Sequence, residues 1–268
     1  MIPKKIHYCW FGGNPLPEDY IKNISTWREK MPDYEIIEWN ETNYDVNKND
    51  FIKSAYKEKK WAFVSDYARL DIVYTHGGIY LDTDVEVIKS FDDLLENDAF
   101  MGVEMGQSVS TGLGFGAVKG HLGILENMKA YESMSFYDES GNINLIPCPK
   151  ITTSLLIEKG LGKLDKVTEV MGITIYPDEY FCPMNYFTGK VTITPNTYSI
   201  HKYSMSWTDK TEKKRFLLER KLTKIFNRRI AGALSKIIFA PVKVKNRIKE
   251  LGFKKATKFY WEKLRKSK

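Results

Sequence analysis

The chain has 268 residues, 43% hydrophobic and 13% aromatic, enough for one large domain with a real core, alone or with an appendage. Its three cysteines, Cys9, Cys148 and Cys182, are widely spaced and odd in number; they offer neither a paired disulfide framework nor zinc-ligand spacing and point to a reducing compartment. No secretory leader and no run of 18 apolar residues is present, so neither a cleaved export signal nor a membrane span is expected. The net charge of +7 is unevenly shared: residues 210–268 hold 21 Lys and Arg against 4 acidic residues, the rest 20 against 30. An acidic body at 1–209 is therefore expected to carry a basic tail at 210–268.

In chain order, KKIHYCWFGG at 4–13 reads as a strand ending in a glycine turn. Asn14-Pro15-Leu16-Pro17 launches the helix EDYIKNISTWREKM, which Pro32-Asp33 ends, and YEIIEW at 34–39 is a second strand. Strand, helix and strand in that order predict a parallel crossover with a ligand at the strand ends, and the absence of G-x-G-x-x-G argues against a dehydrogenase-type dinucleotide fold. Residues 50–59 form a charged amphipathic helix.

Residues 61–84, WAFVSDYARLDIVYTHGGIYLDTD, organise the rest. Trp61, Val64, Ala68 and Ile72 recur at helical spacing, with Leu70 and Val73 widening the apolar face. Asp66 and Arg69, three apart, share one side of that helix. His76-Gly77-Gly78 is a helix stop, because glycine takes the left-handed cap without steric cost. Ile79-Tyr80-Leu81 is a short buried strand, and alternation along an extended chain predicts Asp82 and Asp84 on one side of it. Two carboxylates at a strand end make a hard oxygen site suited to Mg²⁺ or Mn²⁺, with further positions open to phosphate.

Beyond Asp84 the chain alternates short strands with FDDLLEND, a short helix. SVSTGLGFGAVKGH lacks the Gly-Lys-Ser/Thr ending of a phosphate loop and reads as strands lining an acceptor, with glycines allowing close approach. His121 caps a helix to about Tyr131, and KITTSLLIEKG is another helix. The aromatic run ITIYPDEYFCPMNYF at 173–187 fits either an acceptor wall or ordinary core. His201 lies on a strand in TYSIHKYSMSW. The tail interleaves apolar and aromatic residues with lysines, a pattern open to three readings: a membrane-surface helix, a helical cap, or a phosphate-polymer binder.

SDYARLDIVYTHGGIYLDTDV resembles the signature of the D-x-D sugar-binding glycosyltransferases, family 32, which include capsule and exopolysaccharide transferases, yeast mannosyltransferases and the core of the clostridial glucosylating toxins. The resemblance implies an α/β, GT-A-like Rossmann-type mixed sheet flanked by helices, a UDP-sugar donor and a Mn²⁺ or Mg²⁺ cofactor. It places Asp66 on the ribose or donor sugar, Arg69 on the sugar and diphosphate, Tyr80 along the phosphates, Asp82 on sugar hydroxyls and on the metal through water, and Asp84 directly on the metal. IHYCWFGG resembles the family's first strand, which implies Trp10 against uracil and backbone contacts from Cys9 and Phe11; the residue pattern alone reads Trp10 as core. Asn40 falls where the family places a nucleotide contact. The family's His and Ser-Trp near the end of the catalytic domain match His201, a candidate metal or diphosphate ligand, Ser206 near the metal and Trp207 over the diphosphate. An asparagine that many relatives place in the glycine-rich region has no counterpart here.

The expected reaction is retaining transfer of a hexose from a UDP-sugar to a glycan acceptor, expected to be lipid-linked, in bacterial surface polysaccharide synthesis. The tail is expected to hold the protein peripherally on the cytoplasmic face of the cell membrane, with no specific nucleic-acid partner. The alternatives are a non-catalytic sugar-nucleotide or nucleic-acid binder and a transferase that glycosylates protein.

Overall fold

The computed structural model describes all residues except 145, 206, 207, 209, 253, 254 and 256–268, with backbone alone at 250 and 251. The chain divides into two compact units, Met1–Asn185 with Lys190–Ser204, and Tyr186–Gly189 with Met205–Lys268.

The first unit opens with β1 (Lys5–Cys9), α1 (Glu18–Lys30) and β2 (Glu35–Trp39). β1 and β2 pair in parallel from Lys5↔Glu35 to Cys9↔Trp39, the crossover that the strand–helix–strand order predicts. α2 (Asp50–Lys57) is capped by the Asn49 side chain, which accepts from the Ile52 N–H. α3 (Trp61–His76) follows and ends at Gly77, whose φ of +67° favours glycine. Then come β3 (Gly78–Tyr80), β4 (Val85–Val87), a 3₁₀ turn (Asp92–Glu96), β5 (Ala99–Glu104), β6 (Ser108–Ser110) and β7 (Phe115–Ala117). The unit continues with α4 (Leu122–Glu132), capped by His121, and α5 (Cys148–Glu158). It closes with β8 (Thr168–Val170), β9 (Ile173–Tyr176), α6 (Asp178–Phe181) and β10 (Ser199–His201).

The main sheet runs β2-β1-β3-β7-β5-β9-β8, with β6 hairpinned to β5. It is mixed: β3 is parallel to β1 and antiparallel to β7, while β9 is parallel to β5. Helices flank it, so the fold is the mixed α/β arrangement expected from the resemblance. Period-two alternation divides the core. Ile6, Ile79 and Phe100 pack to one side with Trp27 of α1 and with Phe91, Phe181 and Tyr198. Cys9, Tyr80, Met101 and Val103 pack to the other, with Val64, Leu70 and Val73 of α3 and with Tyr131. Within the aromatic run 173–187, Phe181 is core: it is fully buried and stacks on Phe100 at 5.7 Å.

His7 is the one fully buried histidine of β1. The Trp39 indole N–H donates to its Nδ1 at 3.1 Å, which leaves Nε2 to carry the proton toward the Gly77 carbonyl at 2.9 Å. Burial drives its pKa down to about 4, against the favourable carbonyl contact, and His76 nearby adds to the fall. The unfolded chain therefore binds more protons than the folded one between pH 6.5 and 4, and this residue's contribution to stability falls as pH drops through that window. The stability difference between wild type and His7→Gln should change by about 2 kcal/mol from pH 7 to pH 5, to the disadvantage of wild type, in urea titrations at the two pH values.

The second unit holds α7 (Lys210–Leu222) and α8 (Arg228–Leu251), the latter capped by the Asn227 side chain and containing Pro241. Arg215 binds Glu212 and Glu219, both at 2.8 Å, and Lys243 of α8 pairs with Glu212 of α7. The segment Tyr186–Gly189 packs on α7, with the Tyr186 ring 4.6 Å from Phe216 and the Arg220 Nε donating to the Tyr186 carbonyl at 2.7 Å. Ile237, Ile238, Val242 and Val244 of α8 are exposed among lysines. Among the described residues no helix is long and apolar enough to cross a membrane.

Candidate active site

α3 brings Asp66 and Arg69 into the interior on one face. Arg69 is 3% exposed, and its guanidinium is surrounded by partners. Nη2 binds Asp66 Oδ1 at 2.8 Å and Asp82 Oδ1 at 3.4 Å, while Nε donates to the Ser65 carbonyl at 3.1 Å. Nη1 reaches the Thr111 hydroxyl at 3.4 Å and the Cys148 sulfur at 3.8 Å. The Tyr80 ring lies 5.1 Å from the guanidinium carbon, and its hydroxyl donates to Asp82 Oδ1 at 3.0 Å. Burial lifts the Asp66 carboxyl to about 6 although Arg69 opposes it, and Asp82 adds to the rise. Burial would weaken the Arg69 charge, but Asp82 and Asp66 hold it firmly protonated.

Asp82 and Asp84 converge by a different route from the one that strand alternation predicts. β3 ends at Tyr80, and the chain turns at Thr83-Asp84, with the Val85 N–H donating to the Asp82 carbonyl at 3.0 Å. β4 then leaves the main sheet and pairs antiparallel with β10, matching Val85 to His201. That pairing carries His201 across 117 residues of chain to Asp84: His201 Nε2 lies 3.3 Å from Asp84 Oδ1. The other Asp84 oxygen accepts the Ser204 backbone N–H at 2.7 Å. Burial alone would raise the Asp84 carboxyl, but His201 and then Ser204 pull it well below the usual carboxylate range. Burial alone would likewise lower the His201 imidazole, and Asp84 reverses that and lifts it well above its ordinary value.

One ligand atom from each of Asp82, Asp84 and His201 lies within 4.8 Å of the others. Two carboxylates and an imidazole fit a divalent cation, and the buried Arg69–Asp66 pair beside them supplies fixed positive charge and hydrogen-bonding oxygens. Ser206 and Trp207 lie outside the described residues.

The nucleotide-contact candidates lie at the ends of β1 and β2. Cys9 and Phe11 are buried in the core, 7% and 4% exposed. Trp10 is half-buried; its indole N–H donates to the Asn14 carbonyl at 2.6 Å and its ring meets Tyr20 edge-on at 5.5 Å. The Asn40 amide is committed to its own turn, accepting from the Thr42 N–H and donating to Glu38. Beside them is a cavity of about 640 Å³ lined by Gly12, Gly13, Glu41, Thr42, Tyr56 and Trp61. Gly12 has φ +98°, and a Cβ there would fall 2.7 Å from the Trp61 ring, so this wall requires glycine.

Several neighbours of the site escape sequence reasoning. Ser204, Thr111 and Cys148 are brought in by long-range contacts, and Tyr20 of α1 is within hydrogen-bonding influence of Ser204 and feels the charge of Asp84 and Asp82. Gly112 carries the one signal that was readable, a glycine permitting close approach, but its neighbours differ from those expected. A Cβ on it would stand 2.6 Å from Asp82 Oδ2 and 3.2 Å from Arg69 Nη1. The glycine-rich stretch thus lies against the residues read as donor-facing. Gly112→Ala has no left-handed backbone to strain, so it should fold while displacing the Asp82 carboxylate. Affinity of the Asp82–Asp84–His201 cluster for Mn²⁺, read by calorimetry, should fall about tenfold in this variant, with thermal unfolding close to wild type.

Comparison with known proteins falls on this region. Residues 17–101, from α1 through Asp66, Arg69, Asp82 and Asp84 into β5, match the family described as glycosyltransferase sugar-binding region containing DXD motif. The resemblance read from the sequence is borne out. The protein is 30% identical over 119 residues to subversion of eukaryotic traffic protein A of Legionella pneumophila, covering 34% of this chain and 18% of that one. It is 29% identical over 143 residues to inositol phosphoceramide mannosyltransferase 3 of Schizosaccharomyces pombe, covering 50% and 38%. The chain thus spans less than two fifths of the length of either relative. Among solved structures it is similar to the PaToxG glycosyltransferase, with a TM-score of 0.46 and 17% identity over 59% of this chain and 70% of that one.

Proposed function

We propose that the protein is a metal-assisted glycosyltransferase that moves a hexose from a UDP-sugar to a glycan acceptor with retention of anomeric configuration. The observation that carries this reading is the convergence of Asp82, Asp84 and His201 within 4.8 Å, next to the buried Arg69–Asp66 pair. The family match over 17–101 supports the sugar-nucleotide part of it.

Asp84 and His201 would ligate Mn²⁺ or Mg²⁺ directly, and Asp82 through water. A divalent ion held there would supply positive charge to offset the negative charge on the departing diphosphate. Arg69, fixed by Asp66, Asp82 and Ser65, directs N–H groups at the donor sugar and diphosphate without reorganising during the reaction. Asp66 and Asp82 would accept hydrogen bonds from sugar or ribose hydroxyls, and the Tyr80 ring backs the guanidinium. Trp10, with Cys9, Phe11 and Asn40 nearby, borders the nucleobase beside the cavity at Gly12 and Trp61. The transition state is oxocarbenium-like, and the departing phosphate accepts the proton of the incoming hydroxyl on the same face.

The basic second unit fits attachment to an anionic membrane surface, the cytoplasmic face where lipid-linked glycans are built in bacterial surface polysaccharide synthesis. Exposed Ile237, Ile238, Val242 and Val244 would dip below the headgroups while lysines meet them.

A donor screen tests the reading. The full chain is incubated with UDP-glucose, UDP-galactose, UDP-N-acetylhexosamines and GDP-mannose, with Mn²⁺, with Mg²⁺ or with EDTA, and nucleotide release is measured. Metal-dependent release from a UDP-sugar is the expected result. Release from none of them, or release indifferent to EDTA, would remove the proposal.

A further inference from the structure

The buried face of α1 is hydrogen-bonded to the stretch of chain that carries Asp84. The Trp27 indole N–H donates to the Val85 carbonyl at 2.8 Å, and the Thr26 hydroxyl accepts the Val87 N–H at 3.0 Å. One turn earlier on the same face is Asn23, 2% exposed. Its Nδ2 donates to the Thr83 carbonyl at 2.8 Å, and its Oδ1 accepts from the Lys202 ammonium at 2.8 Å. These partners fix which way the amide faces, since an ammonium only donates and a carbonyl only accepts.

Both ends of this bridge fall beside the cation-binding side chains. Thr83 separates Asp82 from Asp84, and Lys202 follows His201. Lys202 is itself held at the turn: its backbone N–H donates to the Asp84 carbonyl at 3.0 Å, and its ammonium also reaches Glu86 Oε2 at 2.9 Å. The β4–β10 ladder runs from Ser199↔Val87 to His201↔Val85 and stops there. Asn23 adds a side-chain link just beyond that last rung, anchored in a helix. An apolar side chain at this position would dock α1 as Ile24 and Trp27 do. The amide contributes something further, a tie between the two segments that bear the ligands.

We propose that Asn23 is a positioning residue for the divalent cation: its amide holds the Thr83 carbonyl and the Lys202 ammonium together and so keeps Asp84 and His201 at the separation that one ion needs. Asn23 touches neither the ion nor the donor and acts through the backbone next to the ligands. The assignment rests on the metal-cluster reading above and extends it to the residue that preorganises the ligands.

The full chain is titrated with Mn²⁺ alone by calorimetry, and the electron paramagnetic resonance spectrum of the bound ion is recorded. Asn23→Ala, and Asn23→Leu with its similar volume, should each weaken Mn²⁺ binding about tenfold and broaden the spectrum of the bound ion. Thr26→Val removes a hydrogen bond from the same seam at Val87, away from the turn and from Lys202. It should bind Mn²⁺ within about twofold of wild type, with an unchanged spectrum. A role in docking alone predicts instead that all of these variants lose thermal stability and keep their Mn²⁺ affinity. The assignment is overturned by affinity within about threefold of wild type in either folded Asn23 variant, by an equal loss in Thr26→Val, or by failure of both Asn23 variants to fold. The functional reading fails separately, in wild-type protein that binds no Mn²⁺ or binds it no better than Asp84→Ala does, and the assignment then falls with it.

Discussion

Asp84→Ala should lower metal-dependent turnover of the nucleotide sugar by about a thousandfold. The carboxylate has two distinct attachments, His201 Nε2 at 3.3 Å from one oxygen and the Ser204 N–H at 2.7 Å to the other. Ser204 therefore fixes the direction in which the carboxylate faces the cluster, and His201 fixes its charge. Removing the side chain deletes the most strongly ionised oxygen donor and leaves the His201 imidazole without its counter-charge. Asp84→Asn should lose nearly as much, since it keeps the Ser204 contact but supplies no anionic ligand. Steady-state release of UDP at saturating Mn²⁺ measures both. Calorimetry of UDP with and without metal separates lost binding from lost chemistry. If either variant stays within a few-fold of wild type, Asp84 is not a metal ligand.

The second large effect concerns folding as much as activity. Arg69→Ala should cost about 3–5 kcal/mol of stability, because it strands Asp66 and Asp82 in the interior without a cation. The pH dependence gives this a sign. Asp66 already titrates at about 6 with Arg69 present, and loss of the guanidinium moves it further up. Lowering the pH protonates Asp66 and removes part of the repulsion, so the deficit relative to wild type should shrink from pH 8 to pH 5. Arg69→Lys should restore little, because a point charge cannot reach Asp66, Asp82, the Ser65 carbonyl and Thr111 together as the planar fork does. Urea titrations at pH 8 and pH 5 measure the first expectation. A deficit that is small, or that grows on acidification, would show that Arg69 does not hold the two carboxylates.

The stretch 61–84 was legible because three independent signals agree there. Helical spacing placed Val64, Ala68 and Ile72 in the core, the glycines ended α3, and β3 between β1 and β7 took Gly78 with Ile79 and Tyr80 of the apolar triplet, leaving Leu81 just beyond it. The facing of Asp82 and Asp84 was expected for a reason that does not hold. A turn at Thr83-Asp84, rather than extended alternation, turns Asp84 toward β10, and a turn of this kind has no periodic signature. His201 was singled out only through resemblance, since nothing local distinguishes it; its approach to Asp84 depends on β10 pairing with β4. Ser204, Thr111 and Cys148 could not be read as neighbours of the site. Each acts through a contact made by the folded sheet, and each has an ordinary local sequence. The aromatic run 173–187 was ambiguous because core packing and sugar stacking favour the same side chains, and only burial of Phe181 against Phe100 and Tyr198 separates them.

The most direct test is the anomalous scattering of manganese in crystals of the full chain grown with UDP and Mn²⁺. A single strong peak is expected between Asp84 and His201, about 2.2 Å from an Asp84 carboxylate oxygen, with the diphosphate on its open side and Arg69 against the phosphates. A diphosphate bound with no ion between Asp84 and His201, or manganese bound at a place remote from Asp82, would contradict the account.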